Sequence, residues 1–287
     1  MTDPPTTTGR RLRLVHLFPD LLGVYGDAGN VRSIVVRAEA RGIEVDVISV
    51  CAGERALPAA DLFLIGGGQD REQVVVAAEL TRLGAELRRQ IEDGAALLAI
   101  CAGYQMLGRA YRTADGTSIE GAGILALETV ASPDRLVGPV VASLNGWPAA
   151  ESTDRTVVGF ENHSGRTTID PGAQPLATVE IGGGNNGLDG TEGIVAPPGT
   201  DGMAGLRVGT YLHGPLLPRN PHLADALVAA ALARGEPTAP LAAIDDTTEW
   251  RAHRRYAERL RNARARHERV PARLRKILDP ARNLIGF

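Results

Sequence analysis

The sequence is short of cysteine, lysine and aromatic residues, and each shortage excludes something. Two cysteines, Cys51 and Cys101, in 287 residues cannot build a disulfide framework, which suits a reducing compartment. Lys276 is the single lysine, so the basic side of the composition is almost entirely arginine. Aromatic content is only 4%, so the core has to be packed with aliphatic side chains. No apolar run approaches the ~20 residues that span a bilayer. Residues 1–10 are polar, with Pro4, Pro5 and a threonine run where a signal peptide would need an apolar stretch. A cytoplasmic protein is expected.

Two motif classes are also missing. There is no Gly-x-x-x-x-Gly-Lys-Ser/Thr phosphate loop, and the glycine-rich stretch 182–187 has no lysine beside it. No Cys/His spacing suits a metal site. No cofactor is therefore expected in this chain. The net charge of −3 hides an asymmetry: residues 248–287 carry twelve Arg+Lys against four Asp+Glu, leaving that segment at +8 and the remainder at −11. An acidic body argues against nucleic-acid binding and sets the basic tail apart.

What is present is a 44% hydrophobic chain with a clear rhythm. Strands are expected at 12–18, 43–50, 61–65 and 95–100, with helices at 30–41 and 70–93 between them. This order implies an α/β fold, a mostly parallel sheet flanked by helices, with functional groups at the strand carboxyl ends. Shorter strand-like pieces at 124–130, 136–142, 157–160, 176–179 and 206–211 suggest an antiparallel extension. A helix is expected at 221–234. The division expected is a disordered terminus at 1–10, one domain at 11–234, a linker at 235–247 and an Arg-rich tail at 248–287. In the tail Trp250, Ala257 and Leu260 share a helical face, and Pro271 and Pro280 interrupt any long helix.

Cys101 stands where the apolar run to Ile100 meets Ala102-Gly103-Tyr104-Gln105. A cysteine on a strand-to-helix turn projects its sulfur from the sheet edge. The first helical N–H groups, that of Ala102 foremost, can then face an oxyanion. A thiol nucleophile needs a base. Of six histidines, His253 and His267 are expected to be solvated in the tail, His16 to be structural in the first strand, and His222 to start a helix. His163 and His213 remain, and His213 is placed ahead because it follows a strand and faces a Gly-Pro turn.

Six segments in order resemble the class I (triad) glutamine amidotransferases, and within them the cobyric-acid-synthase-like group. They are His16-Leu-Phe-Pro-Asp20 with Tyr25-Gly-Asp-Ala-Gly-Asn30, Gly66-Gly-Gly-Gln-Asp-Arg-Glu-Gln73, Cys101-Ala-Gly-Tyr-Gln105, Gly159-Phe-Glu-Asn-His-Ser-Gly165, Gly184-Asn-Asn-Gly187 and Gly209-Thr-Tyr-Leu-His-Gly-Pro215. The resemblance implies a flavodoxin-like three-layer fold in which Cys101 attacks the amide of L-glutamine and His213 shuttles protons. It implies an oxyanion hole from Ala102 with Gly67 or Gly68, and substrate binding by Arg135 and Gln105. Pro139 follows Gly138 here, a departure from the family's usual sequence after that arginine. Most class I members carry an acid two residues after the catalytic histidine, where this chain has Pro215. Glu161, Asp27 or a carboxylate from a partner stand as candidates for the third triad member.

Since the chain lacks any visible means of activating an acceptor with ATP, a separate ligase subunit is implied. The resemblance makes it MurT, a Mur-ligase-like partner that would hold ATP with Mg in a heterodimer. The product would be lipid II with its D-glutamate amidated to D-isoglutamine in peptidoglycan biosynthesis. The alternative acceptor is cobyrinic or cobyric acid. A non-catalytic binding module and a hydrolase with an elbow cysteine are the readings from other classes. The basic tail is expected to dock on the partner or on an anionic membrane surface.

Overall fold

The computed structural model describes residues 9–23, 26–147, 154–234 and 240–269. Tyr25, nearly all of the expected disordered terminus, much of the linker, and the tail beyond 269 with Pro271 and Pro280 lie outside the described residues. The first half of the chain forms β1 (Arg11–Leu17), α1 (Ala28–Glu39), β2 (Glu44–Val50), β3 (Leu62–Ile65), α2 (Asp70–Glu92), β4 (Ala96–Ile100) and the short α3 (Ala102–Met106). Then come β5 (Ala110–Arg112), β6 (Ser118–Glu120), β7 (Leu127–Leu144), β8 (Thr156–Ile169), β9 (Ala177–Ile181), β10 (Thr191–Glu192), β11 (Ile194–Ala196) and β12 (Arg207–Thr210). Three helices follow: α4 (Leu216–Arg219), α5 (Pro221–Ala233) and α6 (Thr247–Arg269).

The main sheet has the order β11-β12-β4-β3-β1-β2, parallel except for the edge strand β11. Every residue of β3, β4 and β12 is buried, as strands covered on both faces require. β12 arrives late in the chain yet pairs directly with β4, Thr210 opposite Ile100. The segments that follow these two strands therefore leave the sheet side by side. This one register brings Cys101 and His213 to a common edge.

The second half builds a sheet of its own, β10-β9-β7-β5-β6 with β8 paired to β7. It is mostly antiparallel, as expected, but the piece expected in it at 206–211 is instead β12, a parallel strand of the main sheet, and its longest strands exceed what the sequence suggested. The pieces expected at 124–130 and 136–142 belong largely to one 18-residue strand, broken by a shift of register between Ala131 and Leu136. A bulge of this kind kinks the strand and re-aims the residues within it, and Arg135 lies there. The strand expected at 157–160 continues to Ile169, so Glu161, Asn162 and His163 sit on β8 itself.

The described part of the tail is a packed helix. Ala257 of α6 lies against Val141 and Val158, with Ile181, Tyr256 and Leu260 around them. Trp250 stacks on His222 with ring centroids 5.2 Å apart. His253, expected in solvent, is buried, and its Nδ1 lies 2.7 Å from the Arg219 carbonyl. The correction has a simple cause. The face bearing Arg251, Arg254, Arg255 and Arg259 is exposed, as are all residues from 261 to 266, while His253 and Ala257 on the other face meet the body. Upstream of α6, Arg37 bonds Asp225 and Asp246, and Arg41 bonds Asp225 and the Ala242 carbonyl. Among the described residues no helix is long and apolar enough to cross a membrane.

Candidate active site

Cys101 has φ 50° and ψ −104°, a backbone region that costs a non-glycine residue roughly 1–3 kcal/mol. The strain turns the chain from β4 into α3 within one residue. The Cys101 N–H donates to the Thr210 carbonyl at 2.9 Å, and the Cys101 carbonyl accepts from the Gln105 N–H at 2.9 Å. Ala102 is the first residue of α3, where backbone N–H groups have no partner within the helix. Gly103 is needed for close packing: a Cβ there would meet Ile65 at 2.8 Å and the Gly66 carbonyl oxygen at 3.0 Å.

Gly67 is where the site comes together. A Cβ on Gly67 would lie 2.6 Å from His213 Cε1, 3.4 Å from His213 Nδ1 and 3.2 Å from Cys101 Cβ. The thiol-bearing carbon and the imidazole thus flank a single bare Cα. His213 is itself held by a backbone bridge to β8, donating its N–H to the Phe160 carbonyl at 2.8 Å and accepting from the Phe160 N–H at 3.2 Å. Burial lowers its pKa to about 4, so the ring is neutral at neutral pH and able to take a proton.

His163 is a different kind of histidine. Its Nδ1 lies 2.8 Å from the Gly165 carbonyl, which can only accept, so Nδ1 carries the proton. The ring lies flat on Tyr211, centroids 3.5 Å apart and planes 6° from parallel. Burial first, then the nearby Arg166, His213 and Arg135, drive its pKa down to about 3. Burial leaves both rings neutral at neutral pH, and geometry makes His213 the candidate base: it faces Cys101 across Gly67, whereas His163 lies flat on Tyr211.

Several sequence expectations change here. The Gly67 N–H donates to Asp27 Oδ2 at 2.8 Å, so it is not available to an oxyanion, and Gly68 and Ala102 are left for that role. Asp27 is fully buried, with Oδ1 accepting from Asn30 Nδ2 at 3.3 Å. Glu161 accepts from the Gly183 and Gly184 N–H groups at 2.7 and 2.8 Å. Both carboxylates put forward to orient His213 thus accept backbone N–H bonds. Gln105, expected to bind substrate, is buried with both ends of its amide in use: Oε1 accepts from Gln73 at 2.9 Å and Nε2 donates to the Tyr211 hydroxyl at 3.1 Å. Its place is in the floor of the site.

Arg135 is exposed and is splinted by Asn162, donating to its Oδ1 and its carbonyl at 2.9–3.1 Å. Asn162 adjoins His163 on β8 and Leu136 pairs with His163 across the sheet, so the guanidinium is tied to the strand segment that carries that histidine. Glu192 was not foreseen. It is fully buried, burial pushes its pKa up to about 7, and it accepts from the Thr210 hydroxyl at 2.5 Å and the Tyr211 N–H at 3.0 Å. It thereby anchors the segment leading to His213. A two-residue strand in a turn-rich region gave no sequence signal for this.

A strained cysteine at a strand end, a neutral histidine across a bare glycine and an arginine alongside suit acyl transfer from an amide carrying a carboxylate. Comparison with known proteins agrees. Residues 13–221 match the CobB/CobQ-like glutamine amidotransferase domain. The chain belongs to this family. The GatD subunit of the glutamine-hydrolysing lipid II isoglutaminyl synthase of Staphylococcus aureus is 41% identical over 243 residues, 84% of this chain and 93% of that protein. The Streptococcus pneumoniae subunit of the same name is 35% identical, over 77% of this chain and 81% of that protein. A solved glutamine amidotransferase structure superposes with a TM-score of 0.50 at 16% identity, covering 76% of this chain and 98% of the other. The CobB/CobQ-like amidotransferase thus shares the general glutamine amidotransferase fold, and it is a glutamine-hydrolysing enzyme.

Proposed function

We propose that this amidotransferase is the glutaminase subunit of an enzyme that amidates the D-glutamate of lipid II, and that Cys101 is its nucleophile. The convergence of Cys101 and His213 on the Cα of Gly67 carries the chemistry. The likeness to two lipid II isoglutaminyl synthase subunits over most of each chain supports the acceptor.

The Cys101 thiol gives its proton to His213, and Sγ attacks the side-chain carboxamide carbon of glutamine. As the C–S bond forms, the carbonyl electron pair moves to oxygen, where the Ala102 and Gly68 N–H groups receive the charge. Collapse of this intermediate breaks the C–N bond while His213 delivers its proton to the departing nitrogen. Ammonia leaves and a γ-glutamyl thioester remains. His213 then deprotonates a water that attacks the thioester, the C–S bond breaks as His213 returns that proton to the departing sulfur, and glutamate leaves with the Cys101 thiol restored. Arg135 pairs with the α-carboxylate of glutamine, its guanidinium held ready by Asn162.

The partner in this reading is MurT, a Mur-ligase-like subunit that holds ATP with Mg and activates the acceptor carboxyl. The carboxylate that orients His213 is Asp27, Glu161 or one supplied by that partner. The heterodimer works in the cytoplasm, and the arginine face of α6 lies toward the anionic membrane surface.

Cys101→Ala is expected to abolish ammonia release from glutamine and leave the fold intact. Ammonia production at the wild-type rate by that variant would end the catalytic assignment. Co-purified with a Mur-ligase-like partner, the wild-type chain is expected to amidate lipid II in the presence of ATP and glutamine. Amidation of cobyric acid in its place, with lipid II untouched, would redirect the pathway but keep the glutaminase.

A further inference from the structure

Asp27 occupies the N-cap of α1 but makes no cap bond to its own helix. An aspartate there ordinarily accepts a helical N–H, worth about 1 kcal/mol. Here the carboxylate faces the Gly67 N–H and the Asn30 amide. It is fully buried, its pKa is pushed by burial to about 6, and only those two hydrogen bonds favour its charged form. A buried carboxylate without a cation is costly. A neutral acceptor would close a structural gap at lower cost, so the charge itself has a use.

That use lies in the peptide linking Gly66 and Gly67. Its N–H donates to Asp27, and its carbonyl accepts from the Gly103 N–H of the nucleophile's helix at 3.1 Å. The unit is gripped at both ends. A charged acceptor on the N–H polarises the peptide and strengthens the bond on its carbonyl. The first turn of α1 also reaches the histidine side of the site. Asn30 Oδ1 accepts from the Leu217 N–H at 2.8 Å, and a Cβ on Gly29 would strike Pro215 at 2.5 Å, two residues past His213. One turn of helix thus braces the glycine strand, the elbow and the loop after the base.

We infer that Asp27 is a positioning residue of glutamine hydrolysis, a buried anion that fixes the Gly66–Gly67 peptide so that the neighbouring backbone donors meet the oxyanion formed at Cys101. The inference rests on the proposed hydrolysis at Cys101 and adds a residue that touches neither substrate nor sulfur. Its signature is a split between steps that develop an oxyanion and steps that do not.

The test compares glutamine hydrolysis with alkylation of Cys101 by iodoacetamide, a displacement at saturated carbon that forms no oxyanion. Both are measured on the full chain with its ATP-dependent partner present. Asp27→Asn keeps the shape but turns an amide NH2 toward Asn30 or Gly67. It is expected to lower kcat about 10- to 100-fold, the range for a displaced oxyanion donor, with KM and the alkylation rate each within about twofold of wild type. Wild-type kcat in Asp27→Asn overturns the inference, as does an equal loss of hydrolysis and alkylation, which would place the effect on the thiol or the fold. If Asp27→Asn does not fold, Asn30→Ala removes the amide that holds the same carboxylate. It is expected to lower kcat and spare alkylation, and full activity there overturns the inference equally. If Cys101→Ala stays active, the underlying reading has failed; if it is dead while Asp27→Asn is fully active, only this inference has.

Discussion

At the scale of single residues, the site is organised by an absent side chain as much as by those present. Gly67→Ala would place a methyl 2.6 Å from His213 Cε1, and the imidazole would have to move. The expected result is a loss of about 100-fold in kcat for ammonia release. Arg135→Ala should raise KM for glutamine about 10-fold, as loss of a charged hydrogen bond would, with kcat little changed in steady-state assays. Cys101→Gly relieves the positive φ that Cys101→Ala retains. The glycine variant should be the more stable by about 1 kcal/mol in denaturant titrations, although the added freedom of its unfolded chain works against this. The strand-end positions of Cys101 and His213 were legible because their signals are local: an apolar run into a turn, and a Gly-Pro turn after a strand. The donors and acceptors around them were not. That Gly67 bonds Asp27 and Gln105 bonds Gln73 depends on where distant segments come to rest, and no short motif encodes it.

At the scale of elements, the strands and helices of the first half were readable to within a residue or two, because buried parallel strands are nearly all apolar and their helices amphipathic. The long strands β7 and β8 were harder to read. Proline, glycine and charged residues interrupt their pattern, yet their partners across the sheet carry them through. The tail was legible as a shared face of Trp250, Ala257 and Leu260, but its docking was not. Ala257→Asp would bury a carboxylate against Val141 and Val158 and is expected to cost about 3 kcal/mol. The change should appear as a lower melting temperature with increased proteolysis within α6. The same interface holds His222 beneath Trp250. Burial lowers the pKa of His222 to about 4, below the reference value of about 6.5 for an unfolded histidine. Its contribution is therefore complete above about pH 6.5 and is lost as pH falls toward 4. His222→Phe should flatten that part of the stability–pH curve, as followed by Trp250 fluorescence in thermal melts.

At the scale of the whole molecule, the two sheets depend on each other. The second sheet supplies Phe160, Asn162 and His163 to a site whose proposed nucleophile follows a strand of the first, and α6 packs on β7 and β8. The order of synthesis has a consequence here. β4 leaves the ribosome with β1, β2 and β3 already made, but the neighbour on its other side, β12, follows about a hundred residues later. Until then Cys101 ends a strand with one edge unpaired. Cys101 acquires its backbone anchor at Thr210 and the histidine proposed as its base, His213, from the same short stretch of chain. A nascent or truncated chain that stops before this stretch lacks both at once. On the proposed roles of Cys101 and His213, reactivity and the closing of the main sheet are timed by a single event, and a chain that stalls earlier is expected to release no ammonia.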